Sequence, residues 1–86
     1  MAPIELPTLL FWENGNTWYG SKGLTRFFLR PVREEGSGRL EAEVWRGPLT
    51  RELSEILYTA AFPLSEEGLS QLTAWLEERA GEMNEE

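Results

Sequence analysis

Two runs of alternating residues, Leu24-Thr-Arg-Phe-Phe-Leu-Arg-Pro-Val32 and Arg39-Leu-Glu-Ala-Glu-Val-Trp-Arg46, decide the fold of this chain. In each run apolar and polar side chains alternate, which is typical of a β-strand with one buried face. A loop over 34–37 sets Arg30 opposite Glu41 and brings the apolar residues of both strands to the same side. Because a buried sheet face requires this register, we expect an antiparallel hairpin.

The residues before this hairpin predict a second one. Thr8-Leu-Leu-Phe-Trp-Glu13 is rich in aromatic and branched residues, and Asn14-Gly15 separates it from Asn16-Thr-Trp-Tyr-Gly20. Asn-Gly favours a two-residue hairpin turn because both residues adopt positive φ readily. We therefore predict strands over 8–13 and 16–20, with a loop over 20–23 leading to the next strand.

The last third of the chain predicts helices. Ser65 is a favourable N-cap, two Glu residues follow it, and leucines at helical spacing predict a helix over 66–80 with a frayed tail over 81–86. Residues 50–61 also fit a helix by their apolar spacing, with a short strand over 49–54 as the alternative.

These elements predict a single α+β domain over residues 1–86. An antiparallel sheet of about four strands, arranged as two hairpins, packs against one or two C-terminal helices. The predicted core consists of the inward-facing residues Phe27, Leu29, Ala42, Val44, Leu69, Leu72 and Leu76.

Composition limits the chemistry that this chain can perform. The 86 residues include 15 Glu, no Asp, no Cys and no His, and the net charge is −7. The commonest general base and metal ligands are therefore missing, so we expect no enzyme activity, no metal and no cofactor. No apolar run approaches a membrane span, and residues 1–10 have no basic residue and no long apolar stretch, unlike a secretion signal. We therefore expect no membrane contact and a cytoplasmic location.

Charge is distributed unevenly and suggests two alternative binding surfaces. Residues 22–51 carry seven basic against four acidic side chains, a balance of +3, whereas residues 52–86 carry one Arg against nine Glu, a balance of −8. An acidic surface on the C-terminal helix can imitate a phosphate track and bind a basic groove on a nucleic-acid-binding protein through complementary charge. The residues predicted for this partner-binding surface are Glu66, Glu67, Glu77 and Glu78.

The alternative surface is the polar face of the sheet, where Arg and aromatic residues are interleaved. Rings stack on bases and guanidinium groups bind phosphates, so this face predicts a site for a nucleotide or single-stranded nucleic acid. Glu41 and Glu43 share the face and can instead neutralise the Arg residues as cross-strand pairs. The candidate ligand-binding residues are Arg26, Phe28, Arg30 and Trp45 on the face, with Arg46, Trp18 and Lys22 flanking it. A third interpretation is a homodimer formed through Trp75 and an exposed sheet edge.

Several motifs give the chain a resemblance to other proteins. The segments are Trp12-Glu-Asn-Gly-Asn16, Trp18-Tyr-Gly-Ser21, Trp45-Arg-Gly-Pro48, Phe62-Pro-Leu-Ser-Glu-Glu-Gly-Leu69 and Trp75-Leu76. On these segments the chain resembles short, acidic hypothetical proteins of phages and mobile elements of gut bacteria. This resemblance implies a non-enzymatic inhibitor that blocks a host defence protein, or captures its nucleotide signal, and it transfers no functional residue.

Overall fold

The computed structural model describes residues 4–34, 37–47 and 51–84. In chain order the elements are α1 (Leu9–Glu13), β1 (Trp18–Lys22), β2 (Thr25–Glu34), β3 (Ser37–Arg46), a 3₁₀ turn (Arg51–Leu53), β4 (Tyr58–Pro63) and α2 (Glu66–Asn84). The strands form one antiparallel sheet in the order β1-β2-β3-β4, and α2 packs on one of its faces. The predicted α+β class is therefore confirmed.

The central hairpin has the predicted register. Arg30 lies opposite Glu41 and Arg26 lies opposite Trp45 in the β2–β3 pairing. Both strands are longer than predicted, because β2 ends two residues later and β3 begins two residues earlier. Residues 35 and 36 of the predicted loop lie outside the described residues. The alternation of side chains was therefore enough to predict this pairing, although the predicted bounds of the loop were too wide.

The core lies between α2 and the inward face of the sheet. All seven residues predicted for it are buried, as the alternation of the strands and the helical stripe require. The same cluster also contains residues from the N-terminal segment, from α1, from β3 and from the end of α2, namely Ile4, Trp12, Leu40, Ala80 and Met83.

The predicted strand over 8–13 is wrong, because these residues include helix α1. Trp12 is fully buried in the core, and its indole Nε1 donates a hydrogen bond to the Pro7 carbonyl at 3.2 Å. Asn14-Gly15 ends this helix: Gly15 has φ +83° and its N–H donates to the Trp12 carbonyl at 2.9 Å. The positive φ that suggested a hairpin turn serves here as a helix end, where glycine is equally favoured.

The strand predicted over 16–20 lies two residues further along the chain, as β1 over Trp18–Lys22. β1 instead pairs with β2, with Trp18 opposite Leu29, so most of the predicted loop over 20–23 belongs to the strand. The turn consists of Gly23 and Leu24, and Gly23 has φ +61°. The first hairpin of the chain therefore joins β1 to β2, and the residues predicted as its first strand, 8–13, take no part in it.

The predicted helix over 50–61 is also wrong, and so is the alternative strand over 49–54 as far as it falls within the described residues. A 3₁₀ turn occupies 51–53, and β4 begins at Tyr58 and pairs with β3. Residues 58–63 form a strand despite their helical apolar spacing, because they pair with the edge of β3 that β2 does not cover. Residues 49 and 50 of these two predicted elements lie outside the described residues.

Helix α2 begins as predicted and continues beyond its predicted end at residue 80. The Ser65 hydroxyl accepts a hydrogen bond from the Gly68 N–H at 3.0 Å, which is an N-cap. At the other end, the Asn84 amide accepts from the Leu24 N–H at 2.9 Å and donates to the Lys22 carbonyl at 3.0 Å. The expected fraying is therefore wrong for residues 81–84, because this side chain closes the β1–β2 turn.

Two glycines of α2 provide a matched stability test. A Cβ at Gly68 would lie 1.7 Å from the Pro63 carbonyl oxygen, whereas a Cβ at Gly81 would meet nothing within 4 Å. We expect Gly68→Ala to lower the free energy of unfolding by about 1–3 kcal/mol through overpacking. Gly81→Ala should raise it by about 0.5–1 kcal/mol through helix propensity. Urea denaturation measures both, and a stabilising Gly68→Ala would contradict this packing.

Candidate binding surface

The face of the sheet opposite α2 carries two neighbouring rows of side chains, which we call the open sheet face. Cross-strand register places Tyr19 opposite Phe28, Phe28 opposite Glu43, and Glu43 opposite Thr59. The next row contains Arg30, Glu41 and Ala61. Because side chains alternate along each strand, all of these residues point away from the core.

A shallow depression of about 360 Å³ lies in this face between β2 and β4. Its lining residues come from three strands and are Phe28, Arg30, Glu41, Ala42, Glu43, Thr59, Ala60 and Ala61. The β4 side chains are small where those of β2 are long, and this difference produces the concavity. The depression therefore combines an aromatic ring, ionised groups and a hydroxyl, a mixture suited to binding a partly apolar group.

An aromatic pair borders the depression. The rings of Tyr19 and Phe28 have centroids 4.6 Å apart with an interplanar angle of 38°. Tyr19 is 59% exposed, the most exposed aromatic side chain among the described residues, and Phe28 is half-buried. Such a pair is held in place by its own stacking and still presents a large contact area.

The charges beside the depression are already paired. Arg30 donates to one carboxylate oxygen of Glu41 at 2.8 and 3.0 Å, and Arg39 donates to the other at 2.9 Å. Arg39 also donates to Glu34 at 2.8 Å. The Arg30 guanidinium, and then that of Arg39, holds the pKa of Glu41 below its usual value. The hydrogen bonds that Arg39 donates to Glu34, and then to Glu41, raise the pKa of its guanidinium. The four groups form a charge-balanced chain across the face.

Four predicted ligand-binding residues do share this face, but only two of them line the depression. Phe28 and Arg30 do so, whereas Trp45 is 3% exposed and has no free ring face for a base to stack on. Arg26 donates to the Gly23 carbonyl at 2.9 Å, so its guanidinium helps to close the β1–β2 turn.

The three residues predicted to flank the site lie on the other face of the sheet, so that part of the prediction is wrong. Trp18 is opposite the buried Leu29, and Lys22 is opposite the buried Thr25, which is itself paired with Arg46. Alternation explains their placement: Arg46 follows Trp45 in β3, and Trp18 and Lys22 alternate with Tyr19 and Ser21 in β1.

The four Glu residues of the predicted acidic surface form two separate groups along α2. Glu66 and Glu67 lie in the first turn, and Glu77 and Glu78 lie eleven residues further along, about 16 Å at the helical rise. Glu66, Glu67 and Glu78 are exposed, and Glu78 also pairs with Arg79 at 2.9 Å.

Glu77 serves an internal contact. Its carboxylate accepts from the Lys22 ammonium at 2.8 and 3.0 Å and from the Ile4 N–H at 2.8 Å. Lys22 and then the Ile4 N–H lower the pKa of Glu77. This residue therefore fastens the N-terminal segment and β1 to α2.

Sequence reasoning missed the contribution of β4 to the depression. Thr59 and Ala61 were assigned to a helix, so they were not placed beside the Arg and aromatic residues. The aromatic and β-branched residues of Tyr58-Thr-Ala-Ala-Phe62 are compatible with a strand, but the apolar spacing of this segment fits a helix as well.

Three further observations bear on the chemistry of the chain. Within residues 4–34, 37–47 and 51–84, no group of three metal-ligating side chains comes together. None of the helices in these ranges is both long and apolar enough to cross a membrane. Comparison with protein-family models, curated proteins and solved structures found no match.

The Glu77 contact gives the stability a specific pH dependence. Because its folded pKa is lowered, its contribution is present above the unfolded pKa and is lost as pH falls through the folded pKa. We expect Glu77→Gln to lower the free energy of unfolding by of order 1 kcal/mol at pH 7, and this difference from wild type should shrink on acidification.

Urea denaturation across a pH series measures this effect. Glu78→Gln is the matched control, because the Glu78 side chain is 67% exposed. A Glu77→Gln effect that is the same at acidic and neutral pH would contradict the assigned contact.

Proposed function

We propose that this protein is a non-catalytic binding protein that contacts another protein through its open sheet face. The observation that carries the proposal is the exposed Tyr19–Phe28 pair beside the depression. Aromatic and Arg side chains supply most of the binding energy in protein interfaces, particularly where they surround a pocket.

The side chains of this face are ordered before a partner arrives. Arg30 is about half exposed, and its two hydrogen bonds to Glu41 hold the guanidinium in one position. Tyr19 is likewise restrained by the Phe28 ring. Restrained side chains lose less conformational entropy on binding, which favours association.

The charge balance of the face favours a protein over a nucleic acid. Affinity for nucleic acid comes mainly from cations that neutralise phosphates. Here Arg30 and Arg39 are neutralised by carboxylates, and the whole chain carries a charge of −7. A phosphate in the depression would also lie beside the carboxylates of Glu41 and Glu43.

The biological role in the proposal is inhibition of a host defence protein in the cytoplasm. The resemblance to proteins of phages and mobile elements supports this role. The exposed acids Glu66, Glu67 and Glu78 would assist by attracting a basic partner and increasing its association rate. In this proposal they act at long range, whereas Tyr19 and Phe28 supply the close contact.

An affinity capture from bacterial host lysate with matched variants tests the surface. We expect Tyr19→Ala to reduce the amount of captured partner at least about tenfold, because an aromatic hot spot contributes roughly 2 kcal/mol or more. Glu67→Lys with Glu78→Lys is the control, and it should slow association and leave most of the complex intact.

Thermal melts establish that each variant is folded before capture. A partner retained equally by wild type and Tyr19→Ala would overturn the assignment of this face. A saturable rise in melting temperature with mononucleotides or short single strands, lost in Arg30→Ala, would overturn the protein contact in favour of the nucleotide alternative.

A further inference from the structure

Strand β4 leaves one of its edges open. It is the last strand of the sheet, and no described strand lies on the side away from β3. Thr59, Ala61 and Pro63 are all exposed. The strand also contains no charged side chain, although charge is a common means of preventing edge-to-edge pairing.

The register identifies which backbone groups face this open edge. The Leu64 N–H donates to the Gly38 carbonyl at 3.1 Å, which continues the β3–β4 pairing in register. Hydrogen-bonded positions alternate in an antiparallel pair, so Tyr58, Ala60 and Phe62 direct their backbone groups toward β3. The N–H and carbonyl groups of Thr59 and Ala61 therefore point outward. These are the groups that an added strand would bind.

We infer that a second copy of this chain occupies the edge, with two β4 strands antiparallel about a two-fold axis at Ala60. In that register Thr59 of each copy pairs with the partner's Ala61, and all four outward N–H groups of the two copies find carbonyl acceptors. The pairing is isologous, because the same five residues, 58–62, form both sides of it.

The side chains of β4 are complementary to themselves in this register. Tyr58 lies opposite the partner's Phe62 on the α2 side of the sheet, which gives two cross-strand aromatic pairs. Both rings are already positioned, since Phe62 packs on Trp75 at 5.9 Å and Tyr58 lies under the Arg79 guanidinium at 5.2 Å. The small side chain of Ala60 allows close approach at the axis.

The absence of charge along β4 permits this occupant despite the net charge of the chain. Two uncharged β4 strands place no like charges opposite each other. The nearest charges on α2 form a group of both signs, in which Arg79 pairs with Glu78 at 2.9 Å and with Glu82 at 3.0 Å. Each group has a net charge of −1, since it holds one Arg and two Glu, so only a weak, salt-screened repulsion opposes the uncharged contact along β4.

The dimer would also enlarge the candidate binding surface. Thr59 and Ala61 line the depression and lie next to the partner's Ala61 and Thr59 in the paired strands. The two depressions would therefore meet at the axis as one continuous groove on an eight-stranded sheet. The inference does not depend on the proposed function, because self-association and partner capture are measured separately.

Analytical ultracentrifugation with edge variants tests the dimer. Wild type should sediment at twice its chain mass of 9.9 kDa as concentration rises. Ala61→Pro removes one outward N–H from each copy and should raise the dissociation constant about thirtyfold or more. Ser21→Pro is the matched control, since Ser21 holds the equivalent outward position on the opposite edge strand, and it should leave the dimer unchanged.

A cysteine pair tests the register, because the natural chain has no cysteine. Ala60→Cys places two thiols at a non-hydrogen-bonded pair about 4.5 Å apart between Cα atoms, which suits a disulfide. Ala61→Cys leaves them diagonal, about 7–8 Å apart, and should cross-link far more slowly. A monomer at every soluble concentration, equal effects of Ala61→Pro and Ser21→Pro, or faster cross-linking of Ala61→Cys would each overturn the inference.

Discussion

The antiparallel pairing of β2 with β3 is the constraint on which the rest of this structure depends. It fixes which side chains face α2 and which face away, and a shift of one residue would exchange the two sets. Phe27, Leu29 and Val44 are buried by this register, while Phe28 and Arg30 are brought to the open sheet face. The core and the candidate binding surface are therefore two consequences of the same pairing.

The parts of the fold that were predictable from sequence are those with a local periodic signal. The β2–β3 register and the start of α2 follow from alternation and from the cap at Ser65, and both are confirmed. α1 was missed because a helix of five residues has little propensity of its own, and burial of Trp12 accounts for it. β4 was missed because its apolar residues fit either period, and only pairing with β3 distinguishes them.

The residues of the candidate site were likewise predictable only where a local periodic signal determines their position. Phe28 and Arg30 were placed correctly because alternation within β2 determines their face. The internal role of Glu77 could not be predicted, since its partners Lys22 and Ile4 lie 55 and 73 residues away in the chain. No local pattern distinguishes a carboxylate that closes such a contact from one that faces solvent, because both occupy the flank of an amphipathic helix.

The hydrogen bonds from Asn84 to the β1–β2 turn have a consequence for the order in which the protein is completed during synthesis. Leu24 and Asn84 are separated by 60 residues, and Ile4 and Glu77 by 73. A nascent chain that ends before α2 can pair its strands, but it leaves the inward face of the sheet uncovered and the first strand unfastened. Native closure of this fold therefore waits until α2 has left the ribosome, and a chain that stalls before α2 exposes an apolar sheet face to chaperones and to aggregation.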